Sequence, residues 1–254
     1  MSNETEKKKL PRKTVVTKIR IVRAKHGGPI RTIVERRDSK PTGKFASAKR
    51  GLSLPWESLH ERHLMWISEA DARVRRFLAQ PFRLEFTLRG VKRKMIYFPD
   101  LERVLADGTI EVIEVKKSMD EVVKDRDYAF KIALAKKACR ARGYKFRVVT
   151  AQDYIDIGPR LKNAIAIKCD RFAKLRTIDT TRFLEAIEQA GGTLSYAQAI
   201  AAISEKGDPE DGFARRKLHA MIVRRLGSID IDKPITAGSL VTQVKTVRPF
   251  SKAA

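Results

Sequence analysis

Residues 95–116 read MIYFPDLERVLADGTIEVIEVK, and the placing of charges among the apolar residues of this stretch decides the architecture. Met95–Pro99 and Thr109–Lys116 have the apolar, β-forming composition of strands. Asp107-Gly108 sits between two apolar runs, the pattern of a hairpin turn. Side chains alternate faces along a strand, so Glu114 and Lys116 point one way while Ile113 and Val115 point the other. Apolar Ile110 and Val112 precede Glu114 on its own side. A charged pair that follows apolar neighbours on a buried strand is costly unless it binds something; the plainer alternative is a surface strand carrying a Glu–Lys pair. Asp100 ends the preceding strand, and hairpin pairing can bring its carboxylate beside Glu114. Two carboxylates and a lysine then converge. Carboxylates with open positions suit Mg²⁺, for which Mn²⁺ can substitute; Mg²⁺ keeps several waters and accepts phosphate oxygens. A lysine there can hold or polarise an attacking water and offset charge building on phosphorus. Such a set suits metal-dependent phosphodiester hydrolysis.

Working outward, Leu54–Leu78 reads as a helix, with Leu59, His63 and Trp66 and then Val74, Phe77 and Leu78 at helical spacing. Pro81 stops it, and Phe82–Leu88 reads as a strand. Asp120–Arg142 is a long basic amphipathic helix ended by Gly143, and Phe146–Thr150 a further strand. Strand, helix and strand after a hairpin run predict an α/β core with one crossover. After Lys168 the chain turns charged and linker-like to about Arg176. Three helices follow, at 181–190, 195–204 (opened by the capping box Ser195/Gln198) and 212–226, then a hairpin of Ser228–Ile231 with Leu240–Val244. That is the outline of a winged helix. The expected division is a basic, partly extended arm at 1–50, a nuclease-type core at 51–172, a winged-helix-like unit at 176–247 and a tail at 248–254.

The 254 residues hold 54 Lys and Arg against 30 Asp and Glu, a net charge of +24. An excess of this size speaks of polyanionic partners rather than of fold, and it is concentrated. Residues 1–50 carry 16 basic and 4 acidic side chains, half the net charge in a fifth of the chain. No run approaches the roughly 20 apolar residues of a membrane span, and the start lacks the apolar stretch of a secretory signal. Two cysteines make neither a disulfide framework nor a zinc site, so a reducing, cytoplasmic compartment is expected.

Five segments occur in order over roughly residues 41–170: Gly43–Lys49 (GKFASAK), Glu57–Arg62 (ESLHER), Gln80-Pro81-Phe82, Tyr97–Asp100 (YFPD) and Glu114-Val115-Lys116. Together they resemble the PD-(D/E)xK nuclease superfamily, and within it the TnsA-type transposon-end endonucleases. The resemblance implies a restriction-endonuclease-like mixed-sheet core with a C-terminal winged-helix domain. It implies a catalytic set of Glu61, Asp100, Glu114 and Lys116, with Asp100, Glu114 and Glu61 as the Mg²⁺ ligands. The family's best-known member has Gln at the third position, where this chain has Glu114. The implied activity is cleavage of the 5′ strands of double-stranded DNA at transposon ends. The implied partners are a DDE-type transposase, which handles the 3′ strands, and an AAA+ ATPase regulator. The implied location is the bacterial cytoplasm, at the nucleoid during action.

Several residues carry competing readings. Glu57 suits the helix dipole as a first-turn acid, whereas Glu61, one turn on, matches the family's helix acid. His60 and His63 fit a structural or DNA-backbone role better than a metal site, because no Cys, His or acid partner has matching spacing. Gln80 supports the loop before Pro81, with contact to a site water as the alternative. Lys44, Lys49, Arg50, Lys124, Lys131, Arg215 and Arg216 are candidate DNA contacts, the last two on a helix that can equally dock a protein. Two other functions stay open: a stand-alone nuclease of restriction, repair or phage DNA processing, and a catalytically silent DNA-binding adaptor.

Overall fold

The computed structural model describes residues 15–31 and 41–244. Its centre is a four-stranded sheet in the order β4 (Val74–Ala79), β7 (Leu101–Leu105), β8 (Ile110–Lys116) and β9 (Lys145–Thr150). β7 is antiparallel to both β4 and β8, and β9 is parallel to β8. The Asp107-Gly108 turn joins a hairpin as expected, with Gly108 at φ +85° and the Asp107 carboxylate accepting from Thr109 N at 2.8 Å. Its first strand, however, is β7, which Asp100 precedes, and the expected strand at Met95–Pro99 lies in another sheet. The parallel β8–β9 pair requires a crossover, supplied by α2 (Asp120–Val123) and α3 (Arg126–Arg140). Sequence reading predicts one helix here. It breaks at Asp125, whose extended backbone and side chain cap α3, accepting from Tyr128 N at 3.0 Å.

β8 is buried on both faces, the property of a central strand flanked by a crossover. Ile113 and Val115 join a core with Leu64, Ile67, Phe77 and Ile167, under α1 (Leu59–Ala70) and α4 (Arg160–Cys169). Val112 joins a second core with Phe82, Phe86, Ile132 and Cys139. That second core lies beneath α3 and a three-stranded sheet of β1 (Val16–Val22), β5 (Arg83–Leu88) and β6 (Met95–Tyr97).

The expected helix from Leu54 to Leu78 is shorter. β3 (Leu52–Trp56) pairs with β2 (Gly43–Ser47), α1 ends at Ala70, and Val74–Ala79 is a strand. A bulge between Val74 and Arg76 leaves Arg75 and Arg76 both exposed. The buried positions therefore fall at 74 and then at 77, 78 and 79, a gap of three that imitates a helical period. The expected arm is in part core. β1 pairs with β5 through Val22, and Phe45 on β2 is buried. Gly43 lies against the Trp56 ring, where a Cβ would come within 2.5 Å of ring carbon, so no larger residue fits. Residues 1–14 and 32–40 of the arm, and the tail at 248–254, lie outside the described residues.

Glu69, fully buried at the end of α1, holds the β2–β3 turn in place. It accepts from Ser47 Oγ at 2.6 Å, from Ala48 N at 2.6 Å and from Lys49 N at 3.3 Å. Glu69→Ala is expected to destabilise the protein by about 3 kcal/mol, since these buried donors lose their acceptor. Urea unfolding checks this through a lowered midpoint at unchanged slope.

The C-terminal segment contains α5 (Thr177–Gln189), α6 (Tyr196–Ile203), α7 (Gly212–Val223) and a sheet in the order β10 (Thr193–Ser195), β12 (Leu240–Gln243), β11 (Gly227–Ile229). The Ser195/Gln198 capping box opens α6 as expected. This segment shares the first core with α1 and α4: Leu218, Met221 and Ile222 of α7 are fully buried in it. Asn163 of α4 donates to Ile231 O at 2.9 Å and Lys233 O at 2.7 Å, and Arg160 binds Asp232 at 2.5 Å.

Candidate active site

The site forms where β7 and β8 part. Leu101 pairs with Ile113, and Asp100 N donates to Ile113 O at 3.1 Å. Before Asp100 the chain leaves for β6, in the other sheet. Val115 N, the next donor along β8, goes to Asp100 Oδ2 at 2.7 Å. The carboxylate thus caps the end of the ladder and is fixed beside Glu114. Burial, then the nearby charges of Glu114 and Glu61, hold the Asp100 carboxyl well above the usual carboxylate range.

Glu114 is 3% exposed and points, with Val112 and Lys116, to the face covered by β6 and α3. Tyr97 OH donates to its Oε2 at 2.5 Å, and Tyr128 OH donates to its Oε1. Lys116 Nζ is 2.8 Å from the same Oε1 and 4.8 Å from the centre of the Tyr128 ring. Burial pulls the Lys116 ammonium down, but the charge and hydrogen bond of Glu114, with the charge of Asp100, together outweigh it and the net shift is upward. Lys116 is therefore a cation at neutral pH. Sequence reading placed Tyr97 in a motif without a role and missed Tyr128. The signal for Tyr128 is the capping Asp125, which puts it in the first turn of α3.

Glu61 does what was expected of Glu57. It is the first-turn acid of α1. Its Oε1 accepts from Ser58 Oγ at 3.0 Å and its Oε2 from Glu57 N at 2.9 Å, while its own N–H goes to Ser58 Oγ. Glu57 lies before the cap and pairs with Arg31 at 3.3 Å. Burial first, then Glu57 and Glu114, raise the Glu61 carboxyl, so it shares the field of the other two acids. Asp100 and Glu114 stand together with Lys116 as the cation beside them, and Glu61 is near enough for its charge to act on Asp100. Among the described residues, no three Asp, Glu, His or Cys side chains are arranged to enclose a metal ion. Two hard oxygen donors suffice for Mg²⁺, which takes its remaining ligands from water and phosphate. The surplus of negative charge at Asp100 and Glu114 fits such an ion.

Gln80 lies across from Asp100, just past the end of β4. Its N–H donates to Asp100 O at 2.8 Å and its carbonyl accepts from Ile30 N at 3.0 Å. It is 4% exposed, its φ is +44°, and its side-chain Oε1 is buried without a hydrogen bond. A left-handed conformation costs a non-glycine residue about 1–2 kcal/mol, and an unsatisfied buried acceptor about 1–3 kcal/mol.

Of the candidate DNA contacts, Lys44, Lys124, Arg215 and Arg216 are exposed, and Lys131 is half-buried, about one turn beyond Tyr128. Arg50 donates to Gly27 O at 2.7 Å. Lys49 turns inward instead: its Nζ donates to the carbonyls of Ser68, Asp71 and Val74 at 2.6–3.0 Å. All three ammonium protons are used, so Lys49 anchors the turn rather than offering itself to a phosphate. His63 packs against Trp66 at 5.2 Å, and Arg62 lies over the rings of Trp56 and Trp66. No helix among the described residues is long and apolar enough to cross a membrane.

Compared with known families, residues 71–151 match the model described as TnsA-like endonuclease N terminal. The matched segment runs from the turn before β4 to the end of β9. It includes Gln80, Tyr97, Asp100, Glu114, Lys116 and Tyr128, and Glu61 precedes it. No curated protein matches the chain.

Proposed function

We propose that this protein is a Mg²⁺-dependent DNA endonuclease that cuts the 5′ strands at transposon ends, a reading supported by the match of residues 71–151 to the TnsA-like endonuclease N-terminal model. The observation that carries this reading is the seating of Asp100 on Val115 N beside Glu114 and Lys116, at the parting of β7 and β8. Asp100 and Glu114 would hold the cation, with Mn²⁺ able to substitute. Bound there, the ion would polarise a phosphoryl oxygen and lower the pKa of water. The protein's own part is positional and electrostatic. Tyr97 and Tyr128 fix the Glu114 carboxylate from both sides. With two donors on Oε1 and one on Oε2, the free lone pair of Glu114 lies on Oε2. Lys116, as an ammonium, is suited to attract the scissile phosphate and to hold a water by its oxygen. It is not suited to take that water's proton. Glu61 adds negative charge from the helix side while it caps α1.

In this reading, double-stranded DNA is held by exposed basic side chains such as Lys44, Lys124 and Arg216, and the partners are a DDE-type transposase and an AAA+ ATPase. The three helices and small sheet of residues 177–243 would then be a winged-helix unit. From Leu218 to Val223 every residue of α7 is buried, so α7 cannot lie along a major groove. Only its first turn, with Phe213, Arg215 and Arg216, is free to touch DNA or protein.

The test is cleavage of duplex carrying transposon ends, with partners present. Cutting is expected in Mg²⁺ or Mn²⁺, to stop in chelator and to return with excess metal. Lys116→Ala is expected to slow cutting about 100-fold, the scale of losing one donor to developing charge, while DNA affinity falls only by the share of one phosphate contact among many. Cutting that persists in chelator overturns the reading. Vigorous nicking of plasmid by the protein alone replaces the transposase context with that of a stand-alone nuclease.

A further inference from the structure

Gln80 breaks two local rules at once. It is a non-glycine residue at positive φ, and its buried amide oxygen has no hydrogen-bond partner. Nothing in the loop requires glutamine. The two backbone hydrogen bonds at this position, to Asp100 O and from Ile30 N, would be made by any residue, and glycine would make them without strain. A side chain that weakens the fold in two ways, beside a site, marks a position where local stability has been given up for function. Its backbone bond makes it the direct cross-strand neighbour of Asp100. The same place has a surplus of negative charge from Asp100 and Glu114, with Glu61 near enough to add to it.

We propose that Gln80 is a positioning residue of this site, its side-chain carbonyl oxygen being the acceptor for a hydrated divalent cation held by Asp100 and Glu114. A carbonyl can accept a hydrogen bond from a water of that cation without adding charge, which matters where a further carboxylate would add to the charge of Asp100, Glu114 and Glu61. The proposal rests on the reading of Asp100 and Glu114 as cation ligands, and the experiment separates the two.

The whole chain and its Gln80→Ala, Gln80→Gly and Asp100→Asn variants are titrated with Mn²⁺ by calorimetry, and their thermal unfolding is followed in chelator. Asp100→Asn is expected to remove Mn²⁺ binding. Gln80→Ala and Gln80→Gly are expected to weaken it about 10–100-fold, as loss of outer-shell partners does. In chelator, both Gln80 variants are expected to melt no lower than the parent, with glycine the more stable of the two. Unchanged Mn²⁺ affinity in the Gln80 variants, with binding lost in Asp100→Asn, overturns the role of Gln80 and leaves the site standing. Lowered melting with unchanged affinity makes Gln80 a structural residue and also overturns it. Unchanged binding in Asp100→Asn overturns the cation site and this proposal with it.

Discussion

Asp100→Asn is expected to lower strand cleavage by at least about 1000-fold, the equivalent of several kcal/mol of lost transition-state stabilisation, while DNA binding survives. The asparagine Oδ1 can still accept from Val115 N, so the parting of β7 and β8 keeps its geometry. What is lost is the charge that, on the proposed reading, would hold the cation. DNA affinity should if anything rise, because a negative charge near the phosphates is removed. The variant should also be the more stable protein without metal. Asp100 is held above its usual range in the folded state, so its stabilising protonated form is fully present below pH 3.8. That contribution is lost as pH rises through the higher folded value. Asparagine has no such loss, so parent and variant should diverge in melting temperature as pH rises from 4. Gel shift, nicking assay and thermal melts together check this. A variant that cuts at the parental rate removes Asp100 from the mechanism.

Deletion of residues 176–254 is expected to unfold the nuclease half rather than merely uncouple it. Read from sequence, the break near Arg176 separates two domains. In the structure, Leu218, Met221 and Ile222 are fully buried in the core that also contains Leu64 and Ile167. Losing each such contact costs about 2–5 kcal/mol where the gap cannot close, against a whole-protein stability of about 5–15 kcal/mol. Polar links fail as well. Asn163 loses both its acceptors, Arg160 loses Asp232, Asp170 loses His219 at 2.7 Å, and Ala72 O loses Arg225. Circular dichroism of the truncated protein should show no cooperative melt. A sharp transition at the parental temperature would show that the two halves are separable after all.

The nearness of Asp100 to Glu114 and Lys116 was legible because its signals are local. Alternation sets Glu114 and Lys116 on one side of β8, and the Asp-Gly turn returns the chain so that Asp100, just before β7, reaches Val115 N. The crossover to β9 was equally readable from α3's apolar period and the strand after Gly143. Elements decided by distant contacts were not. β2 exists because Gly43 admits Trp56 and Phe45 reaches the core, neither of which any short window reveals. β4 carries a bulge that disguises it as a helix. Glu61 could be chosen over Glu57 only through the family resemblance, because the start of α1 depends on Ser58 acting as cap, which moves the first-turn acid from 57 to 61. Tyr128 lies 14 residues from Glu114, on the far side of a helix break, and reaches it only because the crossover folds back over β8.

The central claim is that Asp100 and Glu114 together bind the cation that serves phosphodiester hydrolysis. Anomalous diffraction from crystals of the whole chain grown with Mn²⁺ tests it most directly. A single strong peak is expected between the carboxylates of Asp100 and Glu114, absent in crystals of Asp100→Asn grown the same way. Mn²⁺ bound elsewhere while these two carboxylates stay unligated would contradict it.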